Sequence, residues 1–414
     1  MRCLHLLKRG LIVAGLAGRL LAAPQDPTSD DGLVRRGPKE LPKSGSGPLV
    51  TFNLVATDAK GDPVRNLRAT ELDIRDEGRP VQVVVCRPLA SQALATPLAP
   101  NEYTNRLPAD RAQTTVVLLD LLNQNTIEAR FEALDLDRVL SKLEGVDRLY
   151  LYLLTQRAEL YPVHAFPEAG RATDDAAWRS HAQQIFDDAM REVSNQRNVE
   201  RATDPEARVQ RTFAALNELV SKLPSQAGPK SLVWTSHGIG YEDRRSHDFT
   251  SMLQHLGDGL ARAGVAVYAV DRAVDPTSAS AVLNAMDLLA QATGGVWIST
   301  NHLEDGVRQA MTEGRSVYRV GYRPPLDNWD GEFHKIRVTS SNARVRLRAL
   351  NGYFAEKSAR DPDGSFRDAA GGAGDRAEIG IRVAVESSEK GKNWVRLKTQ
   401  VDAADLRIAG DTQF

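Results

Sequence analysis

The chain has 414 residues, with 53 basic against 54 acidic side chains, 42% hydrophobic residues and two cysteines. That is length for about two or three domains, and a net charge of −1 with both signs interspersed offers no basic field for nucleic acid and no acidic tail. Cys3 falls in a targeting segment and leaves Cys86 alone, so the mature chain forms no internal disulfide and carries no cysteine-rich zinc motif.

Arg2, Lys8 and Arg9 precede the apolar run 10–18, and Leu20-Leu-Ala-Ala23 precedes a polar, Pro-containing stretch, so 1–23 read as a signal peptide. Arg19 cuts the apolar run well short of the ~20 residues a spanning helix needs. An exported protein, periplasmic or extracellular and with no membrane span after signal removal, is expected. Residues 24–47 are rich in Pro, Gly, Ser and charge and read as a disordered linker. From 48 to 88 the period is two, through Val50, Phe52 and Leu54, then Leu72 and Ile74, then Val81, Val83 and Val85. Lys60-Gly-Asp-Pro63 and Asp76-Glu-Gly78 separate these runs as turns, which predicts a small antiparallel β module. Cys86 lies on the face opposite Val83 and Val85 and reads as a partly buried, inert thiol.

Beyond a Pro- and Ala-containing connector at 88–112, strands and helices alternate. Thr115-Val-Val-Leu-Leu-Asp120 is continuously apolar until its terminal acid, as a strand buried on both faces of a parallel sheet should be. A helix is expected over 127–143, a second strand at 147–155, and an edge strand at 160–165, where Pro162 is tolerated. A charged helical stretch follows at 174–200. The helix 206–223 carries Val209, Phe213, Leu216, Val220 and Leu223 at spacings of four, three, four and three. Further strands are predicted at 231–235, 265–271, 295–299 and 316–322, with helices near 249–263, 279–292 and 303–312. The fold class is therefore α/β, a doubly wound, mostly parallel, Rossmann-like sheet over 113–322 flanked by small β modules. In such a sheet the loops after the strand ends gather along one edge, where ligands bind. That edge should hold Asp120 to Gln124, Ser236 to Gly240 and Asp271 to Arg272. After a turn at 328–331, Phe333-His-Lys-Ile-Arg-Val338 and Val345-Arg-Leu-Arg-Ala349 read as a pair of strands in a β-hairpin extension, 323–355. Residues 356–376 read as a linker and 377–414 as a short C-terminal β module.

The order of Leu49-Val-Thr-Phe-Asn53, Asp76-Glu-Gly-Arg-Pro80, Leu118-Leu-Asp-Leu-Leu-Asn123 and Trp329-Asp-Gly-Glu-Phe-His-Lys-Ile-Arg-Val338 resembles the exported bacterial, acidobacterial-type "VWFA-related" group, with 113–322 similar to a von Willebrand factor type A domain. The resemblance covers about 48–355. It implies an adhesion-type fold with a metal site for Mg²⁺ or Ca²⁺: Asp-x-Ser-x-Ser after the first strand, a Thr before the helix that precedes the fourth strand, and an Asp after that strand. Asp120 matches the first Asp and Thr212 the Thr, but the serine positions hold Leu122 and Gln124, and Thr235-Ser236-His237-Gly238 has no carboxylate. Two of the five ligands remain, so the site reads as degenerate, with amide oxygens of Asn123 or Gln124 as substitutes. Asp120 reads equally well as an acid accepting backbone N–H bonds at the next helix, Asp271 as a turn residue, and His237 as a solvated loop histidine or a partner contact.

Catalytic motifs fail on stated requirements. Gly228-Pro-Lys-Ser231 lacks the glycines and following helix of a phosphate loop, Ser236-His237 lacks a nucleophile elbow, and no His-Glu-x-x-His helix exists. The sequence therefore reads as a non-catalytic module binding a protein or surface glycan through the edge residues Asp120, Asn123, Gln124, Ser236, His237 and Asp271. A metal-dependent adhesion or receptor-like protein is the alternative, and an enzyme with an unrecognised site the third.

Overall fold

The computed structural model describes residues 49–89, 98–106, 113–123, 148–155, 157–166, 205–223, 228–236, 246–271, 285–300, 302–324, 329–356, 380–386 and 395–401, with a few positions between 184 and 191. The signal peptide, the 24–47 linker, the helix expected at 127–143 and almost all of the 174–200 and 356–376 stretches lie outside these residues.

Five strands come first: β1 (Val50–Thr57), β2 (Leu72–Asp76), β3 (Arg79–Val81), β4 (Val83–Pro88) and β5 (Glu102–Thr104). The α/β region follows with β6 (Thr114–Asp120), β7 (Leu149–Leu154), β8 (Leu160–His164), α1 (Pro205–Lys222), β9 (Lys230–Ser236), α2 (Ser246–Arg262), β10 (Val265–Asp271), α3 (Ala285–Thr293), β11 (Val296–Ser299) and α4 (Leu303–Gly314). The remaining strands are β12 (Val317–Tyr322), β13 (Phe333–Ser340), β14 (Arg346–Ala349), β15 (Gly352–Phe354), β16 (Ile381–Glu386) and β17 (Arg396–Val401).

The six strands β6 to β11 form one mixed sheet in the order β11-β10-β9-β6-β7-β8. All neighbours are parallel except the edge strand β8, which runs antiparallel to β7 and carries Pro162. β6 and β7 are buried at every position, as strands covered on both faces require. Their pleat divides the core: Val116, Leu118 and Trp234 pack with Val209, Phe213 and Leu216 of α1 and with α2 and α3, whereas Val117, Leu119 and Val233 pack with Leu303, Val307 and Ala310 of α4. Helices thus cover both faces. At Gly295, before β11, the backbone passes so close to β10 that an added Cβ would lie 1.8 Å from the Val267 carbonyl oxygen.

Three small antiparallel sheets accompany it: β14-β1-β12-β4, β15-β13-β2-β3 and β17-β16-β5. The run at 316–322, expected in the doubly wound sheet, instead pairs antiparallel with β1 and β4. Tyr318, Val320 and Tyr322 enter a core with Phe52, Leu54 and Ile74, and Val317 packs in another with Val55 and Leu89, so the strand is buried on both sides and its apolar run alone does not name its partner. The expected hairpin of 333–338 with 345–349 is also corrected. β13 pairs with β15 and β2, and β14 crosses to β1, where Leu347 and Ala349 stand opposite Ala56 and Leu54. Glu77 (φ 47°) and Gly78 (φ 78°) make the β2–β3 turn, both with the positive φ that a two-residue type I′ connection needs. The 88–112 connector contributes β5, three residues too short to show a period.

Candidate functional site

In the six-stranded sheet the chain order reverses between β6 and β9, so successive connections leave these neighbours in opposite directions, the position at which sheets of this kind bind ligands beyond the strands' carboxyl ends. β6 ends there on Asp120 and β9 on Ser236, with Asp271 beside Ser236 at the end of β10. The backbone of Asp271 therefore reaches the predicted edge; its side chain, Gln124 and His237 lie outside the described residues.

Asp120 is fully buried. Its Oδ1 accepts the backbone N–H groups of Leu122 (3.1 Å) and Asn123 (3.0 Å). Its Oδ2 accepts the Asn123 side-chain amide (2.7 Å) and the Trp234 indole N–H (3.2 Å). Burial pushes the carboxyl above its ordinary value, against the opposing effect of the Asn123 and Trp234 hydrogen bonds and of the nearby Ser236 hydroxyl, which favour the charged form.

The same Asn123 Nδ2 donates to Thr212 Oγ1 at 3.0 Å, and Thr212 in turn donates to the Arg208 carbonyl at 2.9 Å. Thr212 does not precede a helix; it sits inside α1, using the i−4 carbonyl of its own helix. One amide nitrogen thus joins the end of the first sheet strand to the helix packed against it. The orientation of the amide follows from chemistry, since a carboxylate oxygen at 2.7 Å requires a donor. Toward Asp120 and Thr212, then, Asn123 presents its N–H edge and not its oxygen.

Ser236 is buried, and its hydroxyl lies near enough to the Asp120 carboxyl to favour the charged form, yet no hydrogen bond of normal geometry reaches its Oγ. The described residues do not fit a divalent ion. Both Asp120 oxygens are engaged by N–H donors, Leu122 packs against the apolar core, and among the described residues no three His, Cys, Asp or Glu side chains gather as a metal site would need.

Sequence reasoning missed Trp234, whose signal was an indole N–H in a buried strand, a group that has to find an acceptor. It also missed a second polar cluster. Asp76, read as a turn residue, is fully buried and accepts the hydroxyls of Tyr322 and Tyr353, both at 2.9 Å. Its other oxygen lies 3.6 Å from His334 Nδ1, while His334 Nε2 meets Asp330 at 3.1 Å. Cys86 is half-buried with its Sγ 3.9 Å from the Leu67 carbonyl oxygen, and burial, helped by the charge of Glu71, pushes its thiol up.

No family model and no curated protein matches the chain. Among solved structures it is similar to the human COPII-coat protein Sec24c, with 10% identity and a TM-score of 0.27 over 62% of this chain and 46% of that one. It is also similar to the PilB minor pilin from Streptococcus sanguinis, with 10% identity and a TM-score of 0.30 over 50% of this chain and 61% of that one. The chain thus spans about half the length of these solved structures, 46% of the one and 61% of the other. No helix among the described residues is long and apolar enough to cross a membrane.

Proposed function

We propose that the chain is an exported, non-catalytic interaction module of the von Willebrand factor type A kind, which contacts a protein or surface glycan through the loop edge at the β6/β9 switch point and does so without metal. The observation that carries this reading is the Asn123 amide, which bridges Asp120 and Thr212, the two residues matching the ligand pattern of that domain type. An N–H donor in that position supplies the positive partial charge that a cation supplies elsewhere, and it comes with the fold. Further support is the strand order, doubly wound about β6 and β9 with Asp120 and Ser236 at the reversal.

One observation favours the metal-dependent alternative: the buried Ser236 hydroxyl beside Asp120, which among the described residues makes no hydrogen bond of normal geometry, is an oxygen left over for a ligand. A thermal melt of the purified chain in EDTA and then in excess Mg²⁺, Ca²⁺ or Mn²⁺ separates the two, because an ion that binds the folded state raises the midpoint. No shift is expected. A rise that Asp120→Ala abolishes selects the metal-dependent protein. The interaction itself is tested by probing arrays of surface glycans and exported proteins in EDTA. A ligand held by the wild type and lost on His237→Ala or Gln124→Ala supports the reading, and binding indifferent to both substitutions moves the contact surface elsewhere.

A further inference from the structure

β5, β16 and β17 form a three-stranded antiparallel sheet whose register puts Tyr103, Val383 and Thr399 in one row, with Ile381 opposite Val401 and Val385 opposite Leu397. Residues directly opposite one another share a face, so one face of this sheet is almost wholly apolar. It is exposed: Tyr103 at 61%, Leu397 at 60% and Val401 at 44%. All six residues of β17 are exposed, and β17 is an edge strand.

The backbone shows which groups of β17 have no strand partner among the described residues. The Val385 N–H donates to the Asn101 carbonyl and the Asn105 N–H to the Ile381 carbonyl, so the odd-numbered residues of β16 turn their backbone groups toward β5. The pleat then turns Arg382, Ala384 and Glu386 toward β17, where they meet Gln400, Lys398 and Arg396. Leu397, Thr399 and Val401 are left with N–H and C=O groups pointing outward, and among the described residues no strand pairs with them. Such an edge is a template for another strand.

The side chains decide which strand. In an antiparallel pair between two copies, outward groups must meet outward groups and the apolar row must continue, so the two-fold axis passes through a residue rather than between two. An axis at Lys398 sets that lysine against itself, and one at Leu397 sets Arg396 against Lys398 twice. An axis at Gln400 pairs only three residues of each strand inside β17. At Thr399 the conflicts vanish: Leu397 faces Val401, Lys398 faces Gln400, and Thr399 faces its own copy. Each outward-facing pair exchanges two backbone hydrogen bonds, about six in all.

We infer that β17 binds β17 of a second copy of this chain, antiparallel about Thr399, joining two three-stranded sheets into one of six. The side chain of Leu397 then covers Val401 of the other copy on the apolar face, and the exposed edge disappears.

Sedimentation velocity on the full chain tests this. The wild type should show a concentration-dependent doubling of mass. Thr399→Pro removes an N–H that faces away from β16, a position where an edge strand tolerates proline, and should give a monomer whose thermal midpoint matches that of dilute wild type. The register is read separately by oxidation in a Cys3→Ser, Cys86→Ser background. Thr399→Cys should crosslink to its own copy, within disulfide reach, whereas Leu397→Cys, four residues from its counterpart along the paired strands, should not. A wild type that stays monomeric, a dimer that survives Thr399→Pro, or crosslinking that favours position 397 each overturns the inference. The last would indicate another register, and a monomer captured only by unrelated strands would indicate a heterologous partner.

Discussion

Arg348 of β14 closes a buried ion pair on Glu313 in the last turn of α4, and so ties a flanking antiparallel sheet to a helix of the doubly wound sheet. Glu313 is 6% exposed and its oxygens are saturated: Tyr268 donates at 2.8 Å, Gln309 at 2.9 Å, and the guanidinium to both. Arg348 also donates from Nε to the Gly294 carbonyl at 2.9 Å and lies over the Tyr268 ring. Removing one partner of such a pair leaves a buried charge. Because the Arg348 side chain is 30% exposed, Arg348→Met should cost about 2–3 kcal/mol of unfolding free energy, below the range for fully buried pairs. Glu313→Gln in the same background should then cost less than it does alone. Urea unfolding of the four proteins of this cycle measures the difference, and additive losses would show that the two side chains do not act together.

The Asp76 cluster has a signature at high pH. Burial first, then the charge of Tyr353 and of Asp76 for Tyr322 and the charge of Asp76 for Tyr353, push both hydroxyls well above the ordinary value of 10.0, so both remain donors where exposed tyrosines ionise. The folded state therefore holds protons that the unfolded chain releases, and stability must fall as pH rises beyond about 10. Tyr322→Phe removes part of this dependence while losing about 1.5–3 kcal/mol at neutral pH, the usual worth of a hydrogen bond to a charged group. Urea midpoints measured against pH should show a shallower alkaline decline in the variant. Equal slopes would mean that Tyr322 ionises freely in the folded protein.

Much of this architecture is written in local patterns, and the parts that are not share a cause. β10 spans the predicted 265–271, and α1 begins one residue before the predicted helix and ends one residue before its end, because unbroken apolar runs and a helical stripe are properties of consecutive residues. Pairing is not such a property. Nothing within 316–322 says whether its partner is β9 or β1; that depends on which apolar rows remain uncovered once the larger sheet has formed. The Asp120 end of β6 was readable from its terminal acid, but the bridge from Asn123 to Thr212 spans 89 residues and depends on where α1 packs. Asp76 was masked by its neighbours Glu77 and Gly78, which do form a turn, while the strand before them carries the acid into the core.

The raised pKa of Asp120 gives a slope of the opposite kind to that of a surface acid. Because burial makes the folded protein bind this proton more readily than the unfolded chain does, stability declines as pH rises from the ordinary value of 3.8 toward the folded one. Several surface acids, among them Asp58, Glu102 and Asp330, are lowered mainly by backbone hydrogen bonds and act the other way, losing stability as pH falls. Comparison with Asp120→Asn cancels them. The stability of wild type minus that of Asp120→Asn should decrease with rising pH across the acid range, as read from urea midpoints. A flat or increasing difference would show that the four N–H donors, not burial, govern this carboxyl.

The bridge from Asn123 can be converted into a test of what the site tolerates. Asn123→Asp keeps the shape of the side chain but replaces the N–H that meets Asp120 at 2.7 Å and Thr212 at 3.0 Å with an acceptor. Two carboxylates then face each other with one of them fully buried, which leaves two ways to relieve the repulsion: hold a proton or recruit a cation. In EDTA the variant should melt below wild type, and its deficit should shrink in acid as the pair takes up a proton. With excess Mg²⁺, Ca²⁺ or Mn²⁺ the deficit should also shrink, since a cation placed between the two carboxylates supplies what the amide supplied. Wild type should ignore the same ions. Asn123→Leu separates charge from packing: it removes the donor without adding an acid, so it should be destabilised by about 1–3 kcal/mol, regain in acid only what protonation of Asp120 itself restores, and gain nothing from metal. If Asn123→Asp melts like wild type in EDTA, the amide does not bridge Asp120 and Thr212, and the metal-independent reading loses its main support.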